Sequence, residues 1–362
     1  MRLFQNSSLY PGYLPRLRRL APGNLSFAEQ VRRFLADRYA ASHILQPGSG
    51  SQADVCFTNG NDAVLQATWA REHGLPRGAS LADILLAQIE HHRTEVFYNL
   101  DPVRFDDAFV ARLPGCVKRR IAWRAAPSPH QNFRTYDLLV SNFPGILARY
   151  ADQGFRTAKF FPAHDEAMNP YAARTDRPVD ILFVGGYSRH HRRRAVILEA
   201  VARLSLRWQV RFCLDRSRLT KLAESPLGLL PPLSRHRRPA AIRQVASEGV
   251  FGLDLYEQLS RAKIALNAAV DMAGEERGNM RCFEAMGCGS LLLSDEGRYP
   301  RGMQPGRTLL TFSDADDAVR KAEALLHGEP IARESIAYAG FHAISTEYSR
   351  DRQWQAFVAL CT

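Results

Sequence analysis

The sequence predicts an α/β protein built as two domains, each a parallel sheet with helices on both faces. Three observations carry this. The chain has 362 residues, beyond the size at which one hydrophobic core usually stops growing. Short apolar or β-branched runs alternate with helix-period segments along its whole length, the pattern of strands joined by crossover helices. The alternation fails over 165–179, where Asn169-Pro170, Arg177-Pro178 and scattered charges interrupt both periodicities. The expected domains are therefore 1–168 and 169–345.

In the first half, strands are expected over 2–6, 53–58, 95–100, 119–124, 137–142 and 158–161. Ser26 and Glu29 form a capping box opening a helix to about Ala41, and Ser80 with Asp83 starts the amphipathic stretch 81–92. In the second half, strands are expected over 180–185, 209–214, 263–267, 290–294 and 309–312. Helices are expected near 192–205, 255–262, 279–287, 314–327 and 331–346. Residues 215–248, with Pro226, Pro231, Pro232, Pro239 and the run Arg235-His236-Arg237-Arg238, read as a loop-like insertion, mobile or facing a partner.

Composition narrows the class. No apolar run reaches the length of a membrane helix, and the N-terminus turns polar too early for a signal peptide, so a cytoplasmic location is expected. The six cysteines form no C-x-x-C pair and no zinc spacing. The net charge is +11, carried almost wholly by arginine, with lysine only at 118, 159, 221, 263 and 321. Guanidinium matches phosphate geometry, and basic patches suit a nucleotide sugar or the inner face of a membrane. Aromatic-basic interleaving, helix-turn-helix and zinc-finger spacing are all missing, so no nucleic-acid partner is expected.

Chemistry concentrates in two places. The strand ILFVG ends in Gly185-Gly186, followed by Arg189 and Arg192 to Arg194 at a helix start. Two glycines allow close backbone approach, and a helix N-terminus with arginines suits a diphosphate. An arginine run on a helix reads as readily as a solvated face. The second place is 275–293, where a short helix opens after Gly278, stops at Gly287 to Gly289 and runs into an apolar strand. Arg281 and Glu284 share a face of that helix, and Glu276 precedes Glu284 by eight positions. A carboxylate accepts hydrogen bonds from ribose hydroxyls while guanidinium and N–H groups bind diphosphate. An ordinary intrahelical pair is the alternative.

The segment Arg281-Cys282-Phe283-Glu284-Ala285-Met286-Gly287-Cys288-Gly289, with its following apolar strand, resembles the donor-binding motif of GT-B glycosyltransferases. It is similar in particular to the bacterial group-1, spore-maturation-type family. Phe183-Val184-Gly185-Gly186, Leu255-Tyr256 through Lys263-Ile264-Ala265-Leu266-Asn267, and the tail from Ala339-Gly340 to Trp354 follow the same pattern, so the likeness covers about 180–362. Two departures stand: no glycine-rich setting surrounds Glu276, and no arginine-lysine pair follows Gly185-Gly186.

The resemblance implies two Rossmann-like, doubly wound domains facing across a cleft, with helix 346–362 returning to the first. It implies a glycosyltransferase moving a sugar from a nucleoside-diphosphate sugar to the hydroxyl of a glycan, a lipid-linked sugar or a protein. Glu284 matches the glutamate expected to hold the nucleotide ribose, and Glu276 the one near the donor sugar. Asn279, Arg281, Gly185, Gly186 and Asn267 match positions of the donor pocket, with Arg189 and Arg194 as diphosphate candidates. No Asp-x-Asp metal motif is present, so metal-independent transfer is expected, with a slight lean towards retention. An inverting enzyme would need a base; Asp101 and His130, in Pro127-Ser128-Pro129-His130, sit just past strand ends, where each also suits a turn. A basic nucleic-acid-binding protein, a nucleotide-sugar epimerase and an inactive scaffold remain as alternatives.

Overall fold

A computed structural model describes residues 1–48, 50–128, 130–269 and 274–362 of the chain; Pro129 lies outside the described residues. The chain forms two compact units, Met1–Ala163 with Tyr348–Thr362, and His164–Glu347.

The first unit holds six strands: β1 (Arg2–Ser7), β2 (Asp54–Asn59), β3 (Val96–Asn99), β4 (Arg119–Trp123), β5 (Leu138–Ser141) and β6 (Thr157–Lys159), in the order β2-β1-β3-β4-β5-β6. Every pairing is parallel. Parallel strands are covered on both faces, so their side chains divide between two cores. Val96, Tyr98, Ile121, Trp123, Leu138 and Val140 enter one. Phe97, Ala122 and Leu139, between them in sequence, enter the other. The last helix, Arg350–Cys361, adds Trp354 and Phe357 to the first of these cores.

The helix opened by Ser26 is shorter than expected. It runs Phe27–Ala36, and the chain then turns through left-handed Arg38 and Ala40. Asp37 is the reason: its carboxylate accepts hydrogen bonds from Tyr13 Oη (2.9 Å) and Arg16 Nη2 (2.6 Å), tying the turn to the helix Leu14–Leu20.

The second unit holds β7 (Val179–Gly185), β8 (Val210–Leu214), β9 (Ala246–Glu248), β10 (Ala262–Asn267), β11 (Leu291–Asp295) and β12 (Leu310–Phe312), in the order β12-β11-β10-β7-β8-β9. These too pair in parallel. Counted within the unit, this is the dinucleotide-fold order, with its topological switch between β7 and β10.

Residues 215–248 are not a loop. They contain the helices Arg218–Ala223 and Ala240–Val245 and the edge strand β9. Ala223, Ile242 and Val245 are buried, and Ser217 caps the first helix by accepting from Thr220 N. These elements are too short for a hydrophobic period to show in sequence. Nor is the second half of the basic run free: Arg238 is buried in an ion pair with Glu224 (Nη2–Oε2 2.8 Å), and Arg237 donates to the carbonyls of Ala223 and Ser225 (2.9 and 3.0 Å).

Candidate functional site

At the switch point, β7 ends in Gly185 and β10 in Asn267, with β11 beside β10 ending in Ser294 and Asp295. Asn267 is buried, and it donates from Nδ2 to Ser294 Oγ (2.9 Å) while its Oδ1 accepts from Asn279 Nδ2 (3.2 Å). This fixes the start of the helix Met280–Gly287, whose N-cap, Asn279, makes no side-chain capping bond and stays exposed. Gly278 before it has φ +100°, and a Cβ there would lie 2.5 Å from Pro300 Cγ. Only glycine fits without strain.

Glu284 is 6% exposed on this helix. Its Oε2 accepts a hydrogen bond from Arg281 Nη1 at 2.7 Å, so the two residues do form the intrahelical pair. Burial raises the carboxyl above its usual range, and Arg281 partly opposes the rise. Arg281 Nε is buried without a partner.

Arg194, in the first turn of the helix Arg192–Ala202, returns over β7. Its guanidinium carbon lies 5.0 Å from the Phe183 ring centroid, and a Cβ on Gly185 would meet its Nη2 at 2.7 Å. Glycine at the end of β7 therefore makes room for this side chain. Burial lowers Arg194 from its usual 12.5 to about 10, an effect that nearby Asp295 opposes and Arg281 reinforces. Its Nε is buried without a partner. A desolvated cation lacking an acceptor is costly unless an anion arrives.

Arg277, Ser294 and Asp295 belong to no sequence motif. Arg277 and Asp295 form an ion pair (Nη2–Oδ2 2.8 Å) with both side chains only 4% exposed. Arg277 also donates to the carbonyls of Gly274 and Glu276 (2.8 and 3.0 Å), pinning 274–278 to the end of β11. That pinning positions Glu276, whose Oε1 accepts from Arg298 Nη2 at 2.9 Å. Residues 270–273 lie outside the described residues.

Other predicted residues are engaged elsewhere. Arg189 donates to the carbonyls of Arg235 and Arg237 (both 3.0 Å), holding the 235–237 turn. Gly186 borders open space. In the first unit, Asp101 accepts from Ser8 Oγ and from Arg104 N (3.3 Å), the bonding of a turn residue. His130 is exposed. Among the described residues no three His, Cys, Asp or Glu side chains gather closely enough to hold a metal ion. None of the described helices is long and apolar enough to cross a membrane.

A cavity of about 790 Å³ lies at the opposite, amino ends of β7, β10 and β11, against Pro178, Lys263 and Gly289. Its cations are taken: Lys263 pairs with Asp180 (2.6 Å) and Arg174 with Glu257 (2.7 Å). Ligands of open α/β sheets sit outside the carboxyl ends, where Arg194 is unsatisfied.

Residues 193–359 match the family model described as glycosyl transferase-like. No curated protein matches the chain. Among solved structures, Anabaena HepE in complex with UDP and glucose is similar over 99% of both chains, with TM-score 0.60 and 13% identity. A glycosyltransferase from Rickettsia africae is similar over 99% of this chain and 97% of its own, with TM-score 0.57 and 10% identity. Sucrose-phosphate synthase of Thermosynechococcus elongatus is similar over 99% and 98%, with TM-score 0.51 and 12% identity. With its two six-stranded parallel sheets, the chain has the GT-B fold, and its residues 193–359 match the glycosyl transferase-like family.

Proposed function

We propose that the protein transfers a sugar from a nucleoside-diphosphate sugar to an acceptor hydroxyl, and binds its donor at the carboxyl ends of β7, β10 and β11. One observation carries the reading: Arg194 is a partly buried arginine whose Nε is buried without a hydrogen-bond partner. In the proposed complex Arg194 and Arg281 hold the diphosphate, Glu284 accepts from the ribose hydroxyls, and Asn279 and Glu276 line the sugar. HepE is recorded in complex with UDP-glucose, which supports a uracil nucleotide as the first to test.

The leaving diphosphate is stabilised by fixed cations, so the reaction proceeds without metal; turnover in excess chelator tests this, and strict dependence on added magnesium or manganese refutes it. Transfer is proposed to retain anomeric configuration, following the spacing of Glu276 and Glu284 in the resembled motif; an inverted product by NMR refutes that part alone. The main test is calorimetric titration with UDP, GDP and ADP. One of them binds wild type, and Glu284→Gln weakens it by about 10- to 100-fold, as loss of a charged acceptor costs about 1–3 kcal/mol. Absence of binding by every nucleotide, or wild-type affinity in the variant, overturns the assignment.

A further inference from the structure

Between β8 and β9 the second unit carries a compact projection whose base and crown differ in chemistry. The base is rigid. Arg238 and Glu224 pair beneath it, Arg237 ties Ala223 to Ser225, and Gly228 packs so closely on the Ala223 carbonyl that a side chain there would overlap it.

The crown is apolar and basic. Leu219, Leu222 and Leu230 are 43%, 45% and 65% exposed. On the helix Arg218–Ala223, buried Ala223 marks the inward side. At about 100° per residue, Lys221 and Arg218 lie opposite Ala223, while Leu222 and Leu219 lie on one flank, about 100° and 40° from it. Arg218, Lys221 and Arg235 are exposed and form no ion pair among the described residues. The only acid in 216–236 is Glu224, and it faces inward to Arg238. Exposed leucines scattered singly are ordinary on a soluble protein, but three exposed within the twelve residues 219–230 of a basic segment are not.

We propose that residues 217–236 form a docking surface for an anionic lipid bilayer. The three leucines enter the headgroup boundary, and Arg218, Lys221 and Arg235 contact acidic headgroups. A leucine cluster bordered by unpaired cations and free of exposed acid complements a surface that is apolar below and anionic above. A protein partner would need shape and hydrogen bonding that this short crown of leucines and cations does not supply. The inference does not rest on the donor-site reading.

The test is co-sedimentation of the whole protein with vesicles of phosphatidylcholine alone and with 30% phosphatidylglycerol (about one lipid in three, enough to set a negative surface potential). Wild type should bind the anionic vesicles at least about tenfold better than the neutral ones, and the advantage should shrink as salt rises. Two variants test the two halves of the surface: L219Q/L222Q/L230Q and R218E/K221E/R235E. Each replaces only exposed side chains, so each should keep wild-type thermal unfolding while losing about tenfold or more of anionic-vesicle binding. Wild type failing to bind, or either variant binding like wild type, overturns the proposal. So does a dimer in light scattering that the leucine variant abolishes, which would make the crown a self-association surface.

Discussion

Replacing Arg194 by methionine separates two effects of one guanidinium that have opposite signs. Burial lowers Arg194 from 12.5 to about 10, which at about 1.4 kcal/mol per tenfold makes the folded, charged side chain cost about 3 kcal/mol. A base depressed on folding costs stability wherever it is charged. The cost fades only as pH rises from about 10 to 12.5, where the unfolded chain alone remains protonated. Methionine has similar length and keeps contact with Phe183, but loses the cation–π contact at 5.0 Å, worth about 1–2 kcal/mol. The unliganded variant should therefore gain about 1–2 kcal/mol, raising the unfolding temperature of the second unit by about 2–8 °C. Affinity for nucleoside diphosphate should fall about 10- to 100-fold, since hydrogen bonds to charged groups contribute about 1.5–3 kcal/mol. Scanning calorimetry with and without UDP reads both quantities. Equal stabilisation of both proteins by UDP would refute the diphosphate role. A variant less stable than wild type would show that Arg194 supports the fold instead.

Three further outcomes follow from other parts of the molecule. Asp295→Asn leaves Arg277 buried without its counter-charge and should cost about 3–5 kcal/mol; thermal unfolding within 1 °C of wild type would contradict the pinning of 274–278. Gly278→Ala forces a side chain into φ +100° against Pro300 and should cost about 1–3 kcal/mol, read by urea unfolding; an unchanged midpoint would refute the constraint. In the first unit, His43 packs edge-on against Trp123 at 4.6 Å, and burial pushes its imidazole down to about 4. Its folded value lies below its unfolded one, so its contribution is complete above about pH 6.5 and is lost as pH falls through about 4. With part of the ring still wet, the loss is about 1–2 kcal/mol. His43→Phe should flatten stability between those limits, and a variant that keeps the wild-type pH profile would refute this.

What sequence alone reveals depends on length and burial. β7, β10 and β11 are legible because strands covered on both faces become apolar runs, as in Ile181-Leu182-Phe183 and Leu291-Leu292-Leu293. The three-residue β9 and the six-residue helices around it are not, because a period cannot be read from fewer than two turns. In the candidate site, Asn267 bonds to Asn279 and Arg281 to Glu284. Arg189 is a diphosphate candidate by charge alone, and geometry sends it to the carbonyls of Arg235 and Arg237 instead. Asp295 belongs to no motif. Yet it is the first acid after an apolar strand, and the rule that ligands gather at carboxyl ends would have found it.

The closing helix has a consequence for how the molecule is made. Trp354 and Phe357 complete a core that otherwise consists of residues from Leu3 to Phe160. At about 5–20 residues per second, a ribosome supplies them roughly 10–40 s after the last strand of that sheet. Throughout that interval Tyr98 and Phe160 lack the Phe357 ring that packs on them, whereas by its end the uninterrupted segment from His164 to Glu347 has every residue its own sheet needs. The portion translated second is thus free to finish first, and the earlier one waits, half-built and sticky, for the final turns of the chain.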